Sequence, residues 1–229
     1  MEQVLQLTNC SDQFQLDLPS LVYSETLWLD SNLSSLNLPS LEVVGRKMEL
    51  VTSSLRSILL PALTKVLSFN LSGNPALKSA SFPTLTTVDE SFSLSNNPSL
   101  SVLSFPKLAT INGDFDIQNN SELLDIRGFP LVSTVGWDLD WTGCFDNGSL
   151  PSLSFVGGRV NIQSSSRVFQ CPIPQLRTNG MVKGEGFVCS GRIPNPQGLV
   201  AQNYSNLTAN DNGSGTFTLN AGNTKEKKG

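Results

Sequence analysis

One stretch decides the fold: residues 92–114, which read F-S-L-S-N-N-P-S-L-S-V-L-S-F-P-K-L-A-T-I-N-G-D. Phe92 and Leu94 alternate with serines, which is the pattern of a short strand with one apolar face. An Asn-Asn-Pro turn, a second apolar group, Pro106, a third apolar group and a closing Asn-Gly pair follow in order. The stretch is therefore one complete unit of three apolar groups separated by turns.

Imperfect copies of this unit fill most of the chain. A proline follows the second apolar group of each copy, at Pro19, Pro39, Pro61, Pro83, Pro106, Pro130 and Pro151. Three apolar groups in so short a unit cannot be buried within it, so the copies must stack on one another. We predict a mainly β fold, a right-handed parallel β-solenoid of about eight coils of ~20–24 residues, with leucine-rich-repeat-like turns. It occupies residues 1–194, and a flexible tail rich in Asn, Gly, Ser and Thr occupies residues 195–229.

Composition narrows the function. The chain has 229 residues, a net charge of −4, 15% charged residues and no histidine. Nucleic-acid binding is not expected, because the composition does not indicate a positively charged surface. The lack of histidine excludes Ser-His-Asp catalysis and His-ligated zinc. We expect no cofactor and no catalytic residue. The polar surface is supplied by Ser, Thr and Asn, which is typical of exported proteins.

Neither end of the chain carries a targeting signal. Residues 1–3 are not followed by the charged start and apolar centre of a signal peptide, and no apolar run reaches the ~20 residues that span a bilayer. We expect that the natural product begins upstream. We also expect that the polar ending precedes a membrane anchor.

Four cysteines are present: Cys10, Cys144, Cys171 and Cys189. In an exported protein an even number suggests disulfides, and four cysteines allow three connectivities. Cys171 and Cys189 bracket the irregular end of the solenoid, so we expect a bridge there that closes its C-terminal cap. Cys10 and Cys144 lie about six coils apart, on the order of 30 Å, which is too far for a disulfide.

The turns carry asparagines and glycosylation sequons. The position two residues after the second strand hydrophobe holds Asn, Ser, Thr or Gly: Asn9, Ser31, Thr52, Gly73, Asn96, Asn119, Gly143 and Ser164. Such residues either hydrogen-bond to the turn backbone or merely favour the turn. Because a buried amide cannot carry a glycan, we exclude the sequons at Asn9 and Asn119. We expect glycans at Asn32, Asn70, Asn147, Asn203 and Asn206.

Strand residues that face away from the core are expected to line up from coil to coil in an outward ladder: Gln6, Trp28, Glu49, Asn70, Ser93, Asp116, Asp140 and Asn161. Within it, Trp28, Glu49, Asp116 and Asp140 are our candidate ligand face. Asp116 and Asp140 on adjacent coils, about 5 Å apart, match the carboxyl spacing of a retaining glycosidase, and they also suit Ca²⁺. A solvated acidic patch is the favoured interpretation. Trp28 has the shape to stack on a sugar or anchor a protein partner.

The sequence resembles a known family. The repeated L-P-S-L corners, the turns L-S-N-N-P-S-L and I-Q-N-N-S-E-L, and the ending V-G-G-R-V-N-I-Q-S-S-S-R-V-F-Q-C with G-F-V-C-S-G are similar to fungal cell-wall organisation proteins with receptor-L-domain-like repeats. The resemblance spans residues 4–191. It implies a secreted, glycosylated protein attached to the cell surface by a glycosylphosphatidylinositol (GPI) anchor. This chain is shorter than typical members and lacks both signals, so a transmembrane segment after Lys228 is an equal alternative.

Three functions fit these features. The first is a non-catalytic cell-surface glycoprotein that supports fungal cell-wall organisation and integrity, with wall polysaccharide or surface proteins as partners. The second is a receptor-like ligand-binding ectodomain, and the third is a carbohydrate-active β-helix enzyme that uses the Asp pair. We favour the first.

Overall fold

The chain folds into a β-solenoid in which successive coils pair in parallel. A computed structural model describes residues 4–52, 54–171, 173, 176, 179–198, 209–210 and 218–219. The solenoid has about seven turns. The predicted fold class is thereby confirmed; the first and last of the roughly eight predicted coils carry only part of the repeat.

The strands lie in three rows that run along the solenoid. The front row contains β1 (Val4–Asp17), β3 (Thr26–Asn37), β4 (Val43–Thr52), β6 (Lys65–Ser72), β9 (Phe92–Ser95), β12 (Phe115–Gln118), β15 (Leu139–Gly143), β18 (Val160–Ser164) and β19 (Phe187–Ser190). The second row contains β5 (Ser57–Leu59), β7 (Ser79–Ser81), β10 (Val102–Ser104), β13 (Asp125–Ile126) and β16 (Asn147–Gly148). The third row contains β2 (Tyr23–Ser24), β8 (Thr87–Val88), β11 (Thr110–Ile111), β14 (Thr134–Val135) and β17 (Phe155–Val156), and it joins the front row through β4 and β6.

The core is the space enclosed by the three rows. Phe92 and Leu94 of β9 are fully buried, as their alternation with serine predicts. Phenylalanines from consecutive coils stack on one another: the ring centroids of Phe82 and Phe105 are 5.0 Å apart, as are those of Phe105 and Phe129. Each ring therefore loses contact with water only because the next coil supplies another.

Backbone hydrogen bonds repeat with the same period. At the corner before the third row, one N–H per coil donates to the carbonyl one coil earlier, at 2.8–2.9 Å: Glu42 to Val22, Thr64 to Glu42, Thr86 to Thr64, Ala109 to Thr86, Ser133 to Ala109 and Ser154 to Ser133. The turns between strands, which would otherwise carry unpaired polar groups, are therefore also satisfied by the neighbouring coil.

Three buried asparagines form a ladder inside the turns after the front row: Asn74, Asn97 and Asn120. The Asn97 side chain accepts a hydrogen bond from the Asn74 backbone N–H (3.0 Å) and donates one to the Leu71 carbonyl (2.9 Å). Asn120 repeats both contacts one coil later. A buried amide is stable here because both its donor and its acceptor are used.

The predicted turn position lies one residue before this ladder. Gly73, Asn96 and Asn119 are exposed and adopt φ values of 74°, 57° and 55°. The left-handed conformation favours Gly and Asn, so these three residues favour the turn, while the following amide forms the bonds. At Thr52 the side chain does form a hydrogen bond: its hydroxyl donates to the side-chain amide oxygen of Asn74 (2.9 Å).

A cap closes the C-terminal end of the solenoid. The expected disulfide between Cys171 and Cys189 is present, with the two Cα atoms 5.4 Å apart. Cys189 lies in β19, which pairs in parallel with β18. Ile173 and Leu176, between the two cysteines, are buried against the core. The disulfide ties the segment that carries Ile173 and Leu176 to β19, the last strand of the front row.

The predicted boundary between solenoid and tail stays a prediction. Residues 195–198 lie on the front row, as described below. Of the remaining predicted tail, the described residues are the antiparallel strands β20 (Ala209–Asn210) and β21 (Thr218–Leu219).

We expect Asn97→Ala to lower the free energy of unfolding by about 2–4 kcal/mol, because it leaves buried groups of Asn74 and Leu71 unpaired. Asn96→Gly is the matched control, since Gly73 already occupies that place one coil earlier. It should change stability by less than about 1 kcal/mol. Urea unfolding measures the stability of both variants. Equal losses of stability in Asn97→Ala and Asn96→Gly would contradict the role given to the buried asparagines.

Candidate functional site

Outward-facing side chains of the front row form the ladder that the sequence predicts. The strand register places these residues beside one another in order: Gln6, Trp28, Glu49, Asn70, Ser93, Asp116, Asp140 and Asn161. The predicted neighbours Asp116 and Asp140 are indeed paired. The ladder is open near β3 and covered near β18, so its two ends have different chemistry.

The open end presents an aromatic ring between charged groups. Trp28 on β3 is 36% exposed. The ammonium group of Lys47 lies 5.8 Å from the Trp28 ring centroid, and Lys47 also forms an ion pair with Glu49. The cation lies near the ring and leaves part of it in solvent, an arrangement suited to stacking on a sugar or a partner side chain.

The covered end contains a buried carboxylate. Asp140 is 1% exposed. One of its oxygens accepts a hydrogen bond from the Gln118 side-chain amide (3.0 Å), and the other accepts one from the Asn161 side-chain amide (2.7 Å). The carboxylate is thus held inside an amide network within the sheet face.

The cover is residues 192–198, which we call the C-terminal strap. Its Gln197 carbonyl accepts hydrogen bonds from the side chains of Asn161 (2.9 Å) and Gln163 (3.3 Å). Both of these side chains are more than nine-tenths buried. The interpretation of the acidic ladder as a solvated patch is therefore wrong at Asp140, because the strap excludes water from it. Sequence reasoning missed the strap because it lacks the repeat and has a tail-like composition.

Asp116 lies beside Asp140 on the neighbouring strand and is half-buried. Burial is the main cause that raises the pKa of its carboxyl to about 7, and the charges of Asp140, Asp114 and Asp138 add to it. A retaining glycosidase needs an accessible nucleophile beside its acid. Asp140 has both oxygens bonded to amides and almost no exposure, so the pair has the geometry of a structural network.

The flanking acids are also engaged within the protein. Asp138 forms an ion pair with Arg159 at 2.7 Å, and Asp114 accepts a hydrogen bond from the Asp138 backbone N–H at 3.0 Å. Within the described residues, no group of three or more Cys, Asp or Glu side chains is placed to hold a metal ion. In that same part of the chain, no helix has the length and apolarity to cross a bilayer.

The sequons occupy different environments. Asn147 on β16 is exposed, whereas Asn32 and Asn70 are half-buried, and the Asn32 side chain accepts a hydrogen bond from the Ser54 hydroxyl. Asn203 and Asn206 lie outside the described residues. Our exclusion of Asn119 rested on a buried amide; that reason is wrong, because Asn119 is exposed.

Cys144 has a free thiol and is partly buried. Its S–H donates to the Ser121 carbonyl at 2.9 Å, and burial raises the pKa of the thiol. A protonated, hydrogen-bonded thiol is a poor nucleophile. The side chain of Cys10 lies outside the described part of the structure.

The chain is similar to curated fungal proteins. The cell surface GPI-anchored protein of Arthroderma benhamiae is 36% identical over 167 residues, which cover 72% of this chain and 37% of that protein. Sporulation-specific protein 2 of Saccharomyces cerevisiae is 27% identical over 218 residues, which cover 95% of this chain and 38% of that protein. The chain thus spans less than two fifths of the length of these relatives. No protein-family model and no solved structure matches it.

The raised pKa of Asp116 predicts a pH-dependent contribution to stability. The folded-state pKa of about 7 lies above the ordinary aspartate pKa of 3.8, so between these values the folded protein holds a proton that the unfolded chain has released. The contribution is therefore fully present below about pH 4 and is lost as the pH rises through 7.

Asp116→Asn mimics the protonated carboxyl and cannot ionise. We compare the free energy of unfolding of the variant with that of the wild type at two pH values. The difference should favour the variant by up to ~4 kcal/mol more at about pH 8 than at about pH 4. Urea unfolding of both proteins at the two pH values measures this difference. An effect of Asp116→Asn that is the same at both pH values would contradict the raised pKa of the Asp116 carboxyl.

Proposed function

We propose that this chain is part of a non-catalytic fungal cell-surface glycoprotein that supports cell-wall organisation and integrity. In this proposal a GPI anchor holds the protein at the plasma membrane, and wall polysaccharide or surface proteins are its partners. The predicted glycans at Asn32, Asn70, Asn147, Asn203 and Asn206 belong to the proposal.

One observation carries the proposal: the similarity to the GPI-anchored surface protein of Arthroderma benhamiae covers 72% of this chain. The disulfide between Cys171 and Cys189 supports it independently, because disulfides form and persist in oxidising compartments such as the secretory route.

The mechanism is mechanical and spatial. The stacked phenylalanines and turn asparagines of the middle coils, together with the coil-to-coil backbone hydrogen bonds, resist bending of the solenoid. A stiff rod keeps the open end of its front row at a fixed distance from its attachment. There Trp28 offers an aromatic surface and the neighbouring polar side chains offer hydrogen bonds to a polysaccharide.

A receptor-like ectodomain is the second candidate function. The arrangement of Trp28, Lys47 and Glu49 favours it, because an aromatic anchor beside charged groups is common in protein-binding surfaces. The enzyme alternative is weakened by the burial of Asp140.

We expect deletion of the gene in its fungus to increase sensitivity to glucan-binding dyes. An epitope-tagged protein should be released from intact cells by surface proteolysis. Growth at graded dye concentrations and blotting of the released fraction are the two measurements. An intracellular tag, or a deletion strain with unchanged dye resistance, would contradict the proposal.

Complementation of the deletion strain tests the carboxylate and the aromatic ring separately. Asp116→Asn should restore dye resistance fully, because the proposed role uses no carboxylate; failure of this folded variant would favour the enzyme. Trp28→Ala should restore it only in part, because the proposed contact with polysaccharide uses this ring. Full rescue by Trp28→Ala would contradict a role for the ring and would leave the rod acting only as a spacer.

A further inference from the structure

A cleft with an uncharged lining lies where the turns after β12 and β15 meet the C-terminal strap. Its volume is about 370 Å³, and residues that line it include Asn119, Ser121, Thr142, Cys144, Asn195 and Pro196. None of its lining residues is Asp, Glu, Lys or Arg. An uncharged lining of amides, hydroxyls and proline rings suits a neutral ligand rich in hydroxyl groups and disfavours phosphates, carboxylates and metal ions.

Asn119 lies in this lining and begins the sequon Asn119-Asn120-Ser121. Its direction is fixed by its neighbour: Asn120 is buried, accepting from the Asn97 backbone N–H (3.0 Å) and donating to the Leu94 carbonyl (3.0 Å). With φ at 55°, the backbone turns Asn119 outward, to the exposed side of the turn.

The Asn119 amide remains open to modification. Its nitrogen donates one hydrogen bond, to the Asn96 side-chain oxygen at 3.2 Å, and that contact is exposed. An amide nitrogen has two hydrogens, so glycosylation consumes one and the contact can persist. A sugar attached there starts at the wall of the cleft.

We propose that Asn119 is an N-glycan acceptor and that the cleft holds the first sugar of its own glycan. The inference rests on the proposed function, because only a chain in the secretory route meets the glycan transferase. The first N-acetylhexosamine is neutral and hydroxyl-rich, which matches the uncharged lining. The volume is near the lower end of small-molecule sites, about 300–1,000 Å³, which suits one or two sugar rings.

The neighbouring coil provides a matched control. Asn96 occupies the equivalent turn with φ at 57° and is exposed, but Pro98 stands where the sequon needs Ser or Thr. Pro98→Ser copies the residue that the next coil carries at Ser121 and creates a sequon at Asn96. Asn96 does not line the cleft. Asn147, exposed on β16, is a second control in the natural sequence.

The test uses the full chain, wild type and Pro98→Ser, secreted from a fungal host behind a supplied leader. Peptide:N-glycosidase F is applied to the folded protein in heavy-oxygen water, and mass spectrometry follows each site with time. We expect Asn119 to be occupied and its glycan to be released at least about ten-fold more slowly than those at Asn96 and Asn147, because cleavage must wait for the sugar to leave the cleft. After denaturation all sites should be released alike.

An unoccupied Asn119 on a secreted chain would overturn the proposal. Release at Asn119 as fast as at Asn96 would overturn the placement of the sugar in the cleft. Because the leader is supplied, either failure leaves the cell-surface proposal standing, whereas an intracellular location in the natural fungus would count against that proposal alone.

Discussion

The structure depends on one constraint: no coil can bury its apolar side chains or pair its backbone without the coil on either side. The hydrogen bonds of the front row, of the corners and of the turn asparagines all join residues about one repeat apart. The aromatic stacks follow the same rule. Stability is therefore collective, a sum of interfaces between neighbouring coils, and the ends are the weakest parts of the molecule.

The C-terminal end shows how this weakness is managed. The bridge between Cys171 and Cys189 holds a covering segment on the last coil, and the strap crosses the front row and buries Asp140. The strap also forms one wall of the cleft beside Asn119. Closing the solenoid and shaping its surface are thus done by the same residues. Among the described residues of the outward ladder, Gln6 and Trp28 are exposed and Asp140 and Asn161 are buried. Recognition of an external partner is therefore expected at the open end, near Trp28.

The repeat allowed much of this to be predicted. The alternation at Phe92 and Leu94 predicts strands, and the spacing of the copies predicts which residues of the outward ladder are neighbours. The turn asparagines were misplaced by one residue, because Asn96 and Asn97 are the same residue type and the sign of φ cannot be read from composition. The recurrence of Asn74, Asn97 and Asn120 at equal spacing was the signal that identifies the ladder. The burial of Asp140 had no local signal, since it depends on a distant segment that lacks the repeat.

Distances between spin labels that are separated by a known number of coils test the account most directly. Val22, Glu42 and Ser154 occupy one backbone hydrogen-bonded line along the solenoid and are exposed. In a chain with Cys10 and Cys144 replaced by serine, labels at Glu42 and Ser154 should be about 24 Å apart, and labels at Val22 and Ser154 about 29 Å apart, since each coil adds ~4.8 Å. Equal distances for the two pairs, or a Val22–Ser154 distance below about 15 Å, would contradict a stack of parallel coils.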